Sequence, residues 1–319
     1  MKIKVGIVGY GNLGKSVEQT LLSNSNIELV AIFSRRLIKS NFNTKVEPYE
    51  NYIQYKNKID VMFLCGGSKN DIELQAPEIT RIFDTINSFD THSKILKLKN
   101  ILNKIAVSSS HRAIIACGWD PGLFSTFRLM SYVISKTEPI TFWGKGISMG
   151  HSDAIRQIDG VIDGIEFTIP NSEAVKLAKT GKLDSNTKKH IRKCYVVAKK
   201  IDEPRIEYEI RNIPNYFAGE IVDIEFVNQI ELIKLKSKLL HKGEVLCNFK
   251  TISGSKNSMS LKVQMQSNPD FTASIMVAYL NAITNLRQKK MTGAYLPFEI
   301  PIIDLFPSSQ KDKIIEKLC

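Results

Sequence analysis

A chain of 319 residues, 43% hydrophobic and 24% charged, can bury the cores of two domains and is neither disordered nor fibrous in composition. The net charge of +12 comes from lysines spread along the whole chain, without a basic stripe or nucleic-acid motif, so it excludes a nucleic-acid partner and suits an anionic cofactor and an acidic substrate. No apolar run is long enough to span a bilayer, and Cys65, Cys117, Cys194, Cys247 and Cys319 form neither C-x-x-C nor a zinc spacing, so no membrane and no metal site are expected, and the thiols fit a cytoplasmic protein.

From Lys2 to Thr20 the chain reads as strand, glycine turn and helix. Ile3, Val5, Ile7 and Val8 make the β-branched run of a buried parallel strand, and glycines break it too early for a signal peptide. Gly9, Gly11 and Gly14 are spaced G-x-G-x-x-G, and with Tyr10, Asn12 and Leu13 they form the expected dinucleotide turn. Gly9 permits the tight turn, Gly11 lets a pyrophosphate approach the backbone, and Gly14 lets the following helix (Ser16–Leu22) pack close to the sheet. The free N–H groups and positive dipole end of that helix face the phosphates. A second apolar strand, Ile27–Phe33, ends in Ser34, Arg35 and Arg36 rather than in the carboxylate that binds a ribose 2′-hydroxyl. Two guanidiniums and a hydroxyl, with no carboxylate to repel it, suit a 2′-phosphate, so the expected cofactor is NADP.

Tyr49–Lys58 reads as a short helix or connection, and Ile59–Cys65 as a third buried strand. Gly66, Gly67 and Ser68 follow, at the carboxyl end of a central strand, where a doubly wound sheet meets its cofactor. Asp71–Phe83 is expected to be helical with Pro77 as a possible break, Asp84–Phe89 a weak strand, Ser93–Ala106 a helix and Arg112–Cys117 a strand. The alternation makes residues 1–118 one Rossmann-like, doubly wound α/β domain. After a helix at Leu123–Ser135, strand-like segments follow at Thr141–Gly150, Gly164–Ile169, Ile191–Val197, Ile221–Ile230 and Ser258–Met265. A short helix is expected at Val175–Lys179, a polar loop at Lys182–Lys189, and a long helix at Ala273–Lys289 with Asp270 and Thr272 as caps. Residues 119–289 thus read as a mixed α+β, largely antiparallel domain for substrate binding and dimerisation, with 290–319 packing back on the first domain.

A cofactor domain followed by a β-rich domain directs attention to polar residues at strand ends. Asp90 and Asp120 each follow a strand, and two carboxylates there can hold a substrate ammonium group. Turn and cap chemistry accounts for them equally well, since Asp120 precedes Pro121-Gly122.

The segments VGIVGYGNLGKSVE, IFSRR, FLCGGS, CGWDPGLFS, FWGKGISMGHSDAIR, FTIP, RKCYVVA and NPDFTAS, in this order, resemble the meso-diaminopimelate D-dehydrogenase family over nearly the whole chain. GWDPG and GHSDA are far more specific than the glycine turn. The resemblance implies NADP-dependent oxidative deamination of the D-centre of meso-2,6-diaminopimelate to L-2-amino-6-oxopimelate and ammonia, reversible toward lysine, by a homodimer joined through the second domain. It places Asp90 and Asp120 on the D-centre amino group, and Trp119, Phe142, Trp143, Met149 and Gly150 on the wall around it. Thr168, Arg192, His241 and Asn268 fall where the family grips the distal L-amino-acid end. Gly9, Gly11, Gly14, Ser34, Arg35, Arg36, Cys65 and Ser68 fall on the cofactor, with Gly66 and Gly67 between the last two.

Three positions depart from the family pattern: Asn87 and Lys94 stand where acidic residues are frequent, and Met149 where glutamine is common. They leave open a broader range of D-amino acids. A dihydrodipicolinate-reductase-like enzyme lacks support because no lysine-rich catalytic motif is found. A non-catalytic NADP(H) sensor would not need Asp90, Asp120, Arg192, His241 and Asn268 together.

Overall fold

The computed structural model of the chain describes residues 2–236 and 241–319. They form two compact units, one comprising the chain up to Thr126 together with Pro269–Cys319, the other Phe127–Asn268.

The first unit is built on β1 (Ile3–Val8), α1 (Asn12–Leu22), β2 (Ile27–Ser34), β3 (Val46–Pro48), β4 (Val61–Leu64), α2 (Glu73–Thr80), β5 (Asp84–Asn87), α3 (Ile95–Ser109) and β6 (Arg112–Ile114). With a late strand, Gly293–Tyr295, they make a parallel sheet in the order (Gly293–Tyr295)-β6-β5-β4-β1-β2-β3. Val5, Ile7, Val8 and all four residues of β4 are buried, as strands covered on both faces require. The strand order turns at β1, between β2 and β4, and opens the crevice in which such sheets bind a dinucleotide. β5 is fully buried although it reads Asp-Thr-Ile-Asn. Two of its polar side chains are matched inside: Asp84 accepts from the Arg112 backbone N–H (2.8 Å) and from Arg287 Nε (2.5 Å), and Thr85 pairs with Thr80 (3.0 Å).

The second unit is entered through α4 (Leu123–Ser135). It contains β7 (Ile140–Trp143), β8 (Gly146–Ile147), α5 (Met149–Arg156), β9 (Val161–Pro170), α6 (Ser172–Lys179), β10 (His190–Ala198), α7 (Glu203–Arg211), β11 (Ile221–Phe226), α8 (Gln229–Lys236), β12 (His241–Lys250) and β13 (Lys256–Met265). One sheet runs β11-β10-β9-β8, antiparallel except for the β10–β11 pair, and the other runs β13-β12-β7, antiparallel throughout. The mixed, largely antiparallel character expected from the sequence is present. Three segments differ in detail. Thr141–Gly150 is not one strand: Gly144, at φ +110°, turns the chain against β9, and Met149 and Gly150 open α5. Ile221–Ile230 stops as a strand at Phe226, because the Glu231 N–H donates to Asn228 Oδ1 (2.9 Å) and the Asn228 N–H to Glu231 Oε2 (3.0 Å), a reciprocal cap that starts α8. β12 and α7 had no counterpart in the expected elements.

The long helix α9 (Asn268–Gln288) corrects the expected boundary at 289. Ala273, Met276, Leu280 and Ile283 are buried in one cluster with Val5, Ile7, Phe63 and Ile114, so the helix belongs to the core of the first unit. Its period reveals an apolar face but not which core that face meets. Among the described residues no helix is long and apolar enough to cross a membrane, and no group of three or more His, Cys, Asp or Glu could hold a metal ion.

Candidate active site

In the first unit Gly9, Tyr10, Gly11, Ser34, Arg35, Arg36, Cys65, Gly66, Gly67 and Asp71 line a cavity of about 640 Å³. Nine of these were expected from the sequence. Gly9 leaves β1 at φ +88°, and a Cβ at Gly14 would lie 2.2 Å from the Gly9 carbonyl oxygen, so α1 can approach the turn only through a glycine. A Cβ at Gly11 would meet no protein atom within 4 Å. The bare backbone there answers no packing need of the protein and fits a pyrophosphate above the N-terminus of α1. Asn12 and Leu13 are the first residues of that helix. Tyr10 is buried, its hydroxyl donates to the buried Glu18 carboxylate, and the Asn41 N–H donates to it (2.9 Å), which ties the turn to the loop after β2.

Ser34 caps the arginine pair: its hydroxyl donates to the Arg36 carbonyl (2.9 Å) and accepts from the Arg36 N–H (3.1 Å). Arg35 and Arg36 are exposed, which suits a phosphate. One expectation is corrected. A carboxylate is present at this site, because Asp71, in the helical turn Ser68–Ile72 before α2, pairs with Arg35. No sequence signal links two residues 36 positions apart. Burial pushes the Cys65 thiol far up, so it is neutral on the cavity wall.

Asp90 and Asp120 follow the neighbouring parallel strands β5 and β6. Asp90 is exposed, and its N–H donates to Ser68 Oγ (3.1 Å), so a cofactor-side residue and a candidate catalytic residue meet. Asp120 lies in the Gly118–Gly122 turn, closed by Gly118 N–H to the Pro121 carbonyl (3.0 Å). Trp119 packs edge-on to Phe124 at 5.2 Å. Asn87 is fully buried; its Oδ1 accepts from Phe89 N–H (3.1 Å) and Ala116 N–H (3.5 Å), and its carbonyl from Cys117 N–H (2.8 Å). This departure from the family pattern therefore splints the two strand ends. Lys94 is spent on Glu73 of α2 at 2.8 Å.

In the second unit Thr168 on β9 and Arg192 on β10 are register partners, and Arg192 Nη1 donates to Thr168 Oγ1 (2.8 Å). Glu166, unnoticed in the sequence, lies two residues back on the same face of β9 and is fully buried. Thr168 Oγ1 donates to its oxygens (3.0 and 3.2 Å), and Arg192 Nη1 is 3.7 Å away. Burial pushes Glu166 up to about 7, against Arg192 and hydrogen bonds that lower it. A carboxylate inside the apolar run Ile-Glu-Phe-Thr-Ile was the available signal.

Trp143 is placed by a second unforeseen residue. Its N–H donates to His190 Nε2 (2.8 Å) and the rings stack at 5.4 Å. Burial, then the Arg192 charge, lowers His190 to about 4, so it is neutral and its Nε2 accepts. A Cβ on the next residue, Gly144, would lie 1.9 Å from the Thr168 carbonyl oxygen, so Trp143 and Thr168 belong to one neighbourhood. The Phe142 ring lies 6.0 Å from that of His190. Side chains alternate along β7, and the Phe142 ring is buried with Ala174, Ala178 and Leu246. Met149 and Gly150 are exposed at the start of α5. His241 opens β12 two residues before Gly243, the register partner of Trp143, and burial lowers its pKa. Asn268 is the first residue of α9.

The model of a family described as "Diaminopimelic acid dehydrogenase C-terminal domain" matches residues 118–267. A protein named meso-diaminopimelate D-dehydrogenase from Ureibacillus thermosphaericus is 42% identical over 320 residues, 98% of each chain. A solved C. glutamicum DAP dehydrogenase in complex with DAP is similar at 34% identity, with a TM-score of 0.92 over 99% of each chain. An engineered D-amino acid dehydrogenase bound to NADP+ is similar at 33% identity, with a TM-score of 0.88 over 100% of each chain.

Proposed function

The chain belongs to the meso-diaminopimelate D-dehydrogenase family, and from that premise we propose that it oxidatively deaminates the D-centre of meso-2,6-diaminopimelate with NADP+, giving L-2-amino-6-oxopimelate and ammonia. The observation that carries this reading is the Arg192–Thr168 pair. A guanidinium fixed from behind by a hydroxyl and a buried carboxylate is a rigid clamp for a carboxylate. A substrate with a second amino-acid end needs such a clamp, and a simple D-amino acid has nothing to place in it.

NADP+, when bound, accepts the hydride of the D-centre. The Gly9–Gly14 turn and the start of α1 hold the pyrophosphate, Arg35 and Arg36 hold the 2′-phosphate, and Cys65, Gly66, Gly67 and Ser68 line the site. Asp90 and Asp120 bind the substrate ammonium and take the proton that the amine must lose before its lone pair can assist hydride departure. Trp119, Trp143, Met149 and Gly150 wall the D-centre, while Thr168, Arg192, His241 and Asn268 grip the distal end. The first unit binds cofactor and contributes Asp90, Trp119 and Asp120 to the D-centre, and the second supplies the grip on the distal end. The exposed apolar residues Leu129, Met130, Tyr132, Val133 and Ile134 on α4 support a homodimer through the second unit, and four buried free thiols support a cytoplasmic setting. In reverse the reaction supplies meso-diaminopimelate and, from it, lysine.

The test follows absorbance of the reduced cofactor when protein is mixed with meso-diaminopimelate and NADP+, with NAD+ and single D-amino acids as controls. Reduction that requires both meso substrate and NADP+ is the expected result. Equal reduction with single D-amino acids would assign a broader range, and NADP(H) binding without reduction would assign a sensor.

A further inference from the structure

We propose that Glu166 is a positioning residue for the distal-carboxylate clamp: it holds the Thr168 hydroxyl and the Arg192 guanidinium in one buried relay, and it takes a proton from solvent when a substrate carboxylate docks on Arg192. This rests on the role given to Arg192 and Thr168 above.

The relay runs Arg192 Nη1 to Thr168 Oγ1 (2.8 Å) to the Glu166 carboxylate (3.0 and 3.2 Å). The direct Arg192–Glu166 approach of 3.7 Å is an ion-pair distance rather than a hydrogen bond. The groups around Glu166 are few in kind. From β10 come Arg192 and the register partner Cys194, whose thiol burial keeps neutral. From α5, Ser152 Oγ accepts the Glu166 N–H (2.9 Å), and His151, lowered to about 4 by burial and by Arg192, is neutral. His190, at the start of β10, is neutral as well. Glu220 faces Arg192 rather than Glu166, 3.9 Å from Nε. The charge of Glu166 thus depends on Arg192.

A substrate carboxylate on Arg192 shares that cation and adds a like charge nearby. Both effects disfavour the ionised form of Glu166, so the complex binds more protons than the free protein. By linkage, affinity falls as pH rises above the free Glu166 pKa of about 7, tenfold for each unit by which binding raises that pKa. Glutamine keeps an oxygen to accept from Thr168 and carries no charge to repel the substrate.

The experiment is calorimetric titration of meso-diaminopimelate into the NADPH-loaded protein, a complex that cannot turn over, between pH 6 and 9 and in two buffers of different ionisation heat. Wild type is expected to take up protons above pH 7 and to lose about tenfold in affinity across the range. Glu166→Gln is expected to bind at pH 9 about as tightly as wild type does at pH 6, without that uptake. Titration by the ligand's own amines is common to both proteins and cancels. D-lysine, which lacks the distal carboxylate, should bind wild type without the extra uptake, a comparison that stands even if the variant does not fold. Equal proton uptake in wild type and Glu166→Gln, or equal uptake with D-lysine, overturns the proposal alone. No binding of meso-diaminopimelate to protein that binds NADPH overturns the functional reading and this proposal with it.

Discussion

Asp71 Oδ1 lies 2.5 Å from Arg35 Nη2, while its other oxygen accepts the Gly67 N–H at 3.0 Å. The carboxylate missing from the end of β2 is thus supplied from the start of the α2 region, against the guanidinium that the 2′-phosphate needs. Arg35 is 60% exposed, so the pair is worth little, about 1 kcal/mol at most. Asp71→Asn keeps an acceptor for Gly67 and removes the like charge. NADP+ affinity should rise about threefold and NAD+ affinity should not. Fluorescence titration with both cofactors checks this, and an unchanged ratio would free Asp71 of any part in the preference.

Gly11 and Gly14 separate two reasons for being glycine. Gly14→Ala drives its Cβ into the Gly9 carbonyl and should lower both the melting temperature and NADPH affinity. Gly11→Ala meets no protein atom, so the melting temperature should hold while NADPH affinity falls by at least about tenfold. A normal affinity in Gly11→Ala would place the pyrophosphate elsewhere.

Arg287→Met should cost about 3 kcal/mol, since it removes one partner of a pair whose other member, Asp84, is fully buried. Denaturant unfolding measures it. A loss below about 1 kcal/mol would mean that Arg112 alone suffices.

What was legible follows from where partners come from. β1, β2 and β4 announce themselves because parallel strands buried on both faces are continuous apolar runs, and the glycine turn is a local requirement. β5 was faint because the Asp84 carboxylate and the Asn87 Oδ1 find partners in Arg287 and in the Ala116 N–H beyond β6, which no window around residue 85 contains. Asp71 and His190 escaped notice for the same reason, whereas Glu166 carried a local signal that went unread.

Acid stability of the second unit carries two opposing slopes. Burial holds His151 and His190 near 4 against an ordinary 6.5, so the unfolded chain binds more protons between those values and stability falls as pH drops through them. Glu166, near 7 against an ordinary 4.5, binds its proton more tightly when folded; its contribution is complete below 4.5 and is lost as pH rises through 7. Glu166→Gln removes the second slope. Its melting temperature should therefore fall more steeply than that of wild type between pH 6.5 and 4.5, and parallel curves would show that Glu166 does not titrate there.

The sheet of the first unit is closed by Gly293–Tyr295 on β6, and its core is filled by α9. On the ribosome those pieces emerge after the whole of the second unit, whose core clusters, among the described residues, draw on nothing later. For most of its synthesis the nascent chain therefore carries an unpaired parallel edge and a bared apolar face. A message cut short before Pro269 would yield an open, aggregation-prone half attached to a module able to complete itself, so the quality of each copy is decided after Pro269.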